Sequence, residues 1–380
     1  MVLNKFERME KIDSYEPCPC GSEKNFKFCC YQKARNGKGK TTINLEEYTD
    51  SRLHHEITKV WDDTDFKVCL GFNPEECKPL IKSAHAIQNN RILNRISEDG
   101  HVYTISSTVS KKGIDPVFKK VSKNKASTFF GFCDYHDTEL FKQIELEDYV
   151  GSPLQNFLFA FRGFCLEYHR KIRKMNTIRN HIKKNPALLL EPFGIHNYRV
   201  AQFDIEDSII EYEIFKEDYS NGKFDNLVTI HRNLNFEVDF AISSAFAVKD
   251  DLLGNEINNI FSIESEIVPN IYINIFPIED GTTIILSYNK RYDNVYNQLF
   301  EQIKVLDDDH LIKYLNFLVI NYTENVFLSP RLIDSMDKKQ KDSLLQSFQT
   351  SMLPEKTLEL IIEDQYFKFN LFQKTNKVIN

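Results

Sequence analysis

The sequence predicts an α+β protein, and three observations carry that prediction. Seven of the eight cysteines fall before residue 134, which marks off a metal-rich N-terminal part. A helical period of apolar residues begins at Ser152 and runs on for some thirty residues. Beyond it the pattern alternates and then returns to a helical period, so strands precede helices and repeating βαβ units are absent. At 380 residues the chain suits two domains and a small appendage, on a prior of about 150 residues per domain. A hydrophobic content of 42% with 27% charged residues excludes global disorder, collagen and a disulfide mini-scaffold.

Taken in order, residues 1–32 contain Cys18-Pro19-Cys20-Gly21-Ser22 and, with eight residues between Cys20 and Cys29, the pair Cys29-Cys30. Two close cysteines, a glycine turn and a second close pair can surround one tetrahedral Zn²⁺. About thirty residues cannot build a core, so metal binding would supply the folding energy. The chain starts MVLNKFERMEKID with no apolar stretch typical of a signal peptide, and no run reaches the roughly 18 apolar residues of a membrane span. A cytoplasmic protein is expected. Disulfides are rare there, so the cysteines read as metal ligands or buried thiols, with a redox dithiol pair as the alternative.

Residues 33–43, QKARNGKGKTT, read as a flexible basic linker. Gly39-Lys40-Thr41 is not a phosphate cradle, because the required glycine at 34 is Ala34 and no strand precedes it. A second unit spans 44–150. Its Cys69-x7-Cys77 and Cys133-x2-His136 are two separated pairs able to clamp one further ion, with a helix starting near Asp137. His85 could replace Cys69 in that ligand set, could be a hydrogen-bonded core histidine, or could act directly in a site. His101 is expected in a following strand, with lining of the site as the alternative.

Residues 151–190 form a basic helical connector: Ser152 is the N-cap, Pro153 the first helical residue and Gln155 the capping-box partner. Phe157, Phe161, Phe164, Tyr168, Ile172 and Met175 mark its apolar face, and Cys165 is simply buried. In the acidic domain 191–380, strands are expected within 236–248, 271–277 and 282–288, the last two joined at Glu279-Asp280-Gly281. Helices follow at 293–304, 309–323 and 337–351. Asp250, Asp251, Glu324 and Asn325 read as caps or solvated faces.

The formal net charge of -7 argues against nucleic acid as a partner until it is divided along the chain. Lys and Arg outnumber Asp and Glu by nine to five in 1–40, ten to three in 78–125 and eight to one in 155–184, a net +18 that leaves -25 elsewhere. Such basic stripes suit contact with a phosphate backbone. The expected contacts are Lys111, Lys112, Lys119, Lys120, Lys123, Lys125, Arg170, Arg173 and Lys174, on DNA or RNA. The other reading is a basic face neutralised within the molecule.

Two resemblances add to this. Residues 18–30, with Gly21-Ser22, Lys24, Phe26 and Lys27 in pattern, resemble the SEC-C motif, which implies a zinc site at Cys18, Cys20, Cys29 and Cys30 and docking to a protein or ribosomal surface. Residues 66–145 resemble HNH, or ββα-metal, nucleases with treble-clef geometry. That resemblance implies structural zinc at Cys69, Cys77, Cys133 and His136, His85 as general base, and Asp137 in place of the family's last histidine, holding a catalytic Mg²⁺ or Mn²⁺. Ala84 stands where many members carry an acidic ligand, and Asn124 best fills the place of the middle asparagine. The implied activity is phosphodiester hydrolysis, in a setting such as bacterial anti-phage or mobile-element defence. A non-catalytic zinc module that docks nucleic acid or protein is the other expectation.

Overall fold

In this computed structural model residue 9 and residues 11–37, 48–79, 84–258, 267–349 and 364–374 are described. Gly39-Lys40-Thr41 and Ser83 lie outside them, as does most of the expected linker. Its first part is not a linker: Tyr31–Gly37 forms helix α1, with Ala34 fully buried. Helix α2 (Asp50–Asp62) is capped by the Thr49 side chain, which accepts from the Arg52 backbone N–H. Strand β1 (Ala84–His85) is followed by the long hairpin β2 (His101–Ser110) and β3 (Gly113–Ser122), and then by β4 (Thr128–Phe129). β1 and β4 pair antiparallel, with His85 opposite Thr128. Helix α3 (Asp134–Leu140) begins at Cys133, whose side chain accepts from the His136 N–H.

Helix α4 (Pro153–Lys184) starts at the expected cap, the Ser152 hydroxyl accepting from the Gln155 N–H, but the expected capping box is not closed, because the Gln155 side chain accepts instead from the Val150 N–H. Its apolar coverage is wider than one face. Every residue from Phe157 to Leu166 is buried, Arg162 and Gly163 included, because this half runs through the core. Helix α5 (Pro192–Ser220) turns back along it. Then come β5 (Leu227–Leu234), β6 (Phe240–Phe246), β7 (Ile271–Ile278) and β8 (Gly281–Asn289). The β7–β8 loop is Glu279-Asp280, with Asp280 in the left-handed region at φ 57°. Helices α6 (Asp293–Lys304) and α7 (Asp308–Tyr322), strand β9 (Val326–Leu328) and helices α8 (Pro330–Ser335) and α9 (Lys338–Phe348) complete the α+β fold.

The main sheet has seven strands in the order β3-β2-β9-β6-β7-β8-β5, all neighbours antiparallel. Alternate residues feed two cores. Phe240, Ile242, Ile273, Ile275, Ile284 and Leu286 face α6, α7 and α9, whereas Ala241, Ala245, Tyr272, Phe276 and Ile285 face the Phe157–Leu166 stretch of α4. A sheet covered on both sides explains why β7 and β8 read as nearly continuous apolar runs.

The expected boundary near residue 150 does not separate two sheets. Hairpin β2–β3 joins the C-terminal strands through β9, Tyr103 opposite Leu328 and Thr104 opposite Phe327. Val102 and Ile105, too apolar to face water, are buried by that union. Lys119 and Lys120 consequently lie on the exposed edge strand β3, where lysine discourages strand addition.

Candidate functional site

The first cysteine cluster is docked on its own chain. Cys18, Cys20, Phe26 and Cys30 pack with Ile12 against Met175 and Ile182 of α4 and Ile195, Tyr198 and Ala201 of α5. Arg199, fully buried, donates to the Lys11 carbonyl and to Glu16 at 2.7 Å, tying the module down. Gly21 takes φ 75°, the turn that brings the two cysteine pairs together. The four sulfurs lie within 4.8 Å of one another. Cys20 and Cys29 are 3.5 Å apart and Cys29 and Cys30 3.8 Å. Four thiolates around a tetrahedral ion with metal–sulfur bonds of about 2.3 Å would be about 3.8 Å apart, so the residues fit a metal ion.

The second cluster brings together Cys69, Cys77, Cys133 and His136. Backbone bonds from Val68 to Phe130 and from Leu70 to Gly131 hold the Cys69 segment beside the chain that leads into α3. His136 Nδ1 is 3.3 Å from Cys69 Sγ, 3.7 Å from Cys77 Sγ and 3.2 Å from Cys133 Sγ. A tetrahedral ion with one nitrogen and three sulfur ligands requires about 3.5 Å, so this set fits as well, with Nδ1 as the ligating nitrogen. Gly71 makes room: a Cβ there would sit 2.3 Å from the His136 ring. His85 does not belong to this group, so the ligand set with His85 in place of Cys69 is set aside.

Burial pushes the Cys18 thiol up to about 11 and the Cys69 thiol up to about 12. Against the same upward push, the backbone N–H groups of His136 and Lys78 help hold Cys133 down to about 6. The thiols that burial holds high therefore reach a metal protonated at neutral pH, and their binding must release protons. Metal affinity is expected to rise steadily between about pH 6 and pH 8. Competition with a chromophoric chelator across that range measures it, and a flat profile would contradict the ligand assignment.

Beside the second candidate metal site lies a buried polar cluster that was only half legible beforehand. His85 leaves β1 with Nε2 buried and without a hydrogen-bond partner. Burial, then Arg162, depresses its pKa below the ordinary 6.5, against the opposing pull of Glu145 and the carbonyls of Lys123 and Asn124. Asp137, in the first turn of α3, is held above its ordinary range by burial, which outweighs Arg162, while Glu145 and Asp134 add to the rise. Its Oδ1 is buried without a hydrogen-bond partner and lies 4.0 Å from the Arg162 guanidinium. Arg162 also ion-pairs closely with Glu145 and rests over the Phe141 ring at 4.5 Å. His85 and Asp137 thus share the same neighbours.

Asn124 does not join them through its side chain, which is exposed and accepts from Asn89 at 2.9 Å; only its backbone carbonyl lies near His85. Arg162 and Glu145 were missed. The signal was a lone cation inside Phe159-Ala160-Phe161-Arg162-Gly163-Phe164, where a buried partner is obligatory.

The basic residues divide. Arg170 pairs with Glu167, Arg173 with Asp62 and Asp65, and Lys174 with Asp204, so this part of the helical stripe is neutralised within the molecule. Lys123 donates to Asn94 at 2.7 Å. Lys111 and Lys112 sit exposed at the β2–β3 turn, where the Lys111 N–H donates to Asp50. Among the described residues, Lys119, Lys120 and Lys125 form no ion pair.

No known protein family, curated protein or solved structure matches this chain. Among the described residues no helix is long and apolar enough to cross a membrane.

Proposed function

We propose that this chain is a metal-dependent endonuclease that hydrolyses phosphodiester bonds of nucleic acid in the HNH-like manner, on two structural zinc centres. One observation carries the reading: the β1–β4 ladder runs through Cys133 into α3, a ββα path that gives His85 and Asp137 common neighbours beside a Cys₃His centre. Thiolate-rich tetrahedral sets favour zinc. His85 is neutral at pH 7 because its pKa is depressed, so its free Nε2 accepts the proton of a water attacking phosphorus. Asp137 Oδ1 is the group that would hold Mg²⁺ or Mn²⁺, which when bound offsets charge on the phosphate. Arg162, beside Asp137, orients that carboxylate. Lys111, Lys112, Lys119, Lys120 and Lys125 are the backbone contacts that this reading retains.

The test is incubation of the purified chain with plasmid DNA and with RNA, in Mg²⁺ or Mn²⁺. Cleavage is expected, falling about 10²–10⁴-fold in His85→Ala. The acid limb of the rate profile is expected below pH 6.5, because a depressed imidazole pKa keeps the base unprotonated to lower pH. Undiminished cleavage by His85→Ala would sink this mechanism.

A second reading, a non-catalytic zinc module that docks nucleic acid or protein, is favoured by Arg162, whose guanidinium already engages both Asp137 and Glu145. The outward face of the first module suits docking too, since Tyr15 and Phe28 are exposed with the Lys27 ammonium over both rings. Binding of nucleic acid without cleavage in either metal selects this reading.

A further inference from the structure

Where α4 ceases to cover the sheet, a cavity of about 400 Å³ opens over β9, β2 and β3. That is within the range of small-molecule sites, about 300–1,000 Å³. Three strands contribute a row across its floor: Phe327, then Thr104 opposite it, then Lys119 opposite Thr104. With strands about 4.8 Å apart, the row runs about 10 Å from aromatic ring to amine-bearing strand. An apolar end, a hydroxyl and a cationic end follow one another over the length of a small phosphorylated molecule.

Both ends have unspent chemistry. At the cationic end Lys119 and Lys125 are exposed and form no ion pair among the described residues, while Arg170, which borders the same space from α4, is already paired with Glu167. At the inner end Asn325 is fully buried, contrary to its reading as a solvated residue. Its Nδ2 donates to Ser127 Oγ and to the Ser243 carbonyl, but its Oδ1 has no partner. A buried amide oxygen left unpaired costs about 1–3 kcal/mol, which a donor on a ligand would relieve. Ser127 adds a second group. Its Oγ accepts from the Ile87 N–H and from Asn325, so its own proton remains to donate. It is also held at φ 57°, a strained conformation for serine. Leu166, Val121 and Phe348 supply the apolar walls, and Glu324 at the rim is the one carboxylate among the lining residues.

We propose that this cavity is a binding site for a nucleoside phosphate: the phosphate against Lys119 and Lys125, the ring between apolar walls, and a ring or ribose donor on Asn325 Oδ1 and Glu324. The proposal is independent of cleavage by His85, although the two sites are neighbours, since Thr128 lines the cavity and pairs with His85. Glu324 disfavours bare polyanions by repulsion, so inorganic pyrophosphate should bind more weakly than a nucleotide.

The test is calorimetric titration of the full chain with AMP, ATP, GTP, CTP, UTP and inorganic pyrophosphate. At least one nucleotide is expected to bind saturably at one site, and more tightly than pyrophosphate. The double variant Lys119→Ala/Lys125→Ala should weaken it about tenfold or more. Both lysines are exposed, so the melting temperature should hold, and Lys223→Ala, elsewhere on the surface, should bind like the parent. A 5′-phosphorylated tetranucleotide that displaces the mononucleotide identifies a strand end as the natural source of the group; one that does not identifies the free nucleotide. Either supports the site. Absence of saturable binding to all five nucleotides, binding untouched by the lysine changes, or pyrophosphate binding as tightly would overturn it.

Discussion

Cys133→Ser is expected to bind one metal ion per chain instead of two and to lose the cooperative fold of the region around β1, β4 and α3. Cys133 has two roles at one point. Its sulfur lies 3.2 Å from His136 Nδ1 and is the buried member of the cysteine trio, and its side chain also caps α3. A structural zinc ion contributes on the order of 10 kcal/mol at neutral pH, comparable with the whole stability of a domain, about 5–15 kcal/mol. Serine keeps a capping oxygen but is a poor ligand for a soft thiolate site, so the cap survives and the ion is lost. Cys165→Ser is the contrast: also fully buried, but outside both ligand sets, it should keep two ions and lose about 1–3 kcal/mol. Metal content by mass spectrometry and calorimetric melting separate the two. Two ions and an unchanged melt in Cys133→Ser would refute the second centre.

Replacing Arg162 with methionine should cost about 2–4 kcal/mol of stability, toward the lower side of what breaking a buried ion pair costs. Methionine preserves most of the contact with Phe141 but removes the cation from between Asp137 and Glu145, whose side chains keep 27% and 30% of their exposure. That residual hydration is why the cost stays below the extreme. The pH dependence has a definite sign. Burial already holds Asp137 above its ordinary 3.8, so stability falls as pH rises from that value through the raised one. Losing Arg162 raises Asp137 further and widens that window, so the deficit at pH 7 should shrink toward pH 4. Urea denaturation at several pH values measures it, and adding Glu145→Gln should restore part of the loss. A deficit independent of pH would mean that Arg162 acts by packing alone.

How much of this was legible beforehand depended on whether the information was local. Most of both candidate metal sets could be read because ligand chemistry leaves a spacing: Cys18-x-Cys20, Cys29-Cys30 and Cys133-x2-His136 need no knowledge of the fold, whereas spacing left Cys69 and His85 as alternatives for one ligand. The Ser152 cap and the β7–β8 turn were equally local, each settled by a few adjacent residues. What escaped was tertiary. Asn325 looks like any polar loop residue until β9 is seen to run through the sheet with Ser127 and Ser243 beside it. Arg173 and Lys174 looked like a free stripe because Asp62, Asp65 and Asp204, which neutralise them, are distant in sequence. A sum of charges along the chain cannot foresee such pairing. Arg162 lies between these cases, its burial readable from its neighbours and its partners not.

Strand β9 has a consequence for how the chain is made. It is three residues long, yet it joins a hairpin that emerges some 225 residues earlier, as the pairing of Tyr103 with Leu328 requires. During synthesis β2 must therefore wait with an open edge while the whole intervening chain is completed. Contacts this far apart in sequence slow folding, and an unpaired strand edge on a nascent chain invites aggregation. The lysines of β3 guard the outer side of that hairpin but not the inner side, so newly made chains should depend on chaperones until β9 has left the ribosome.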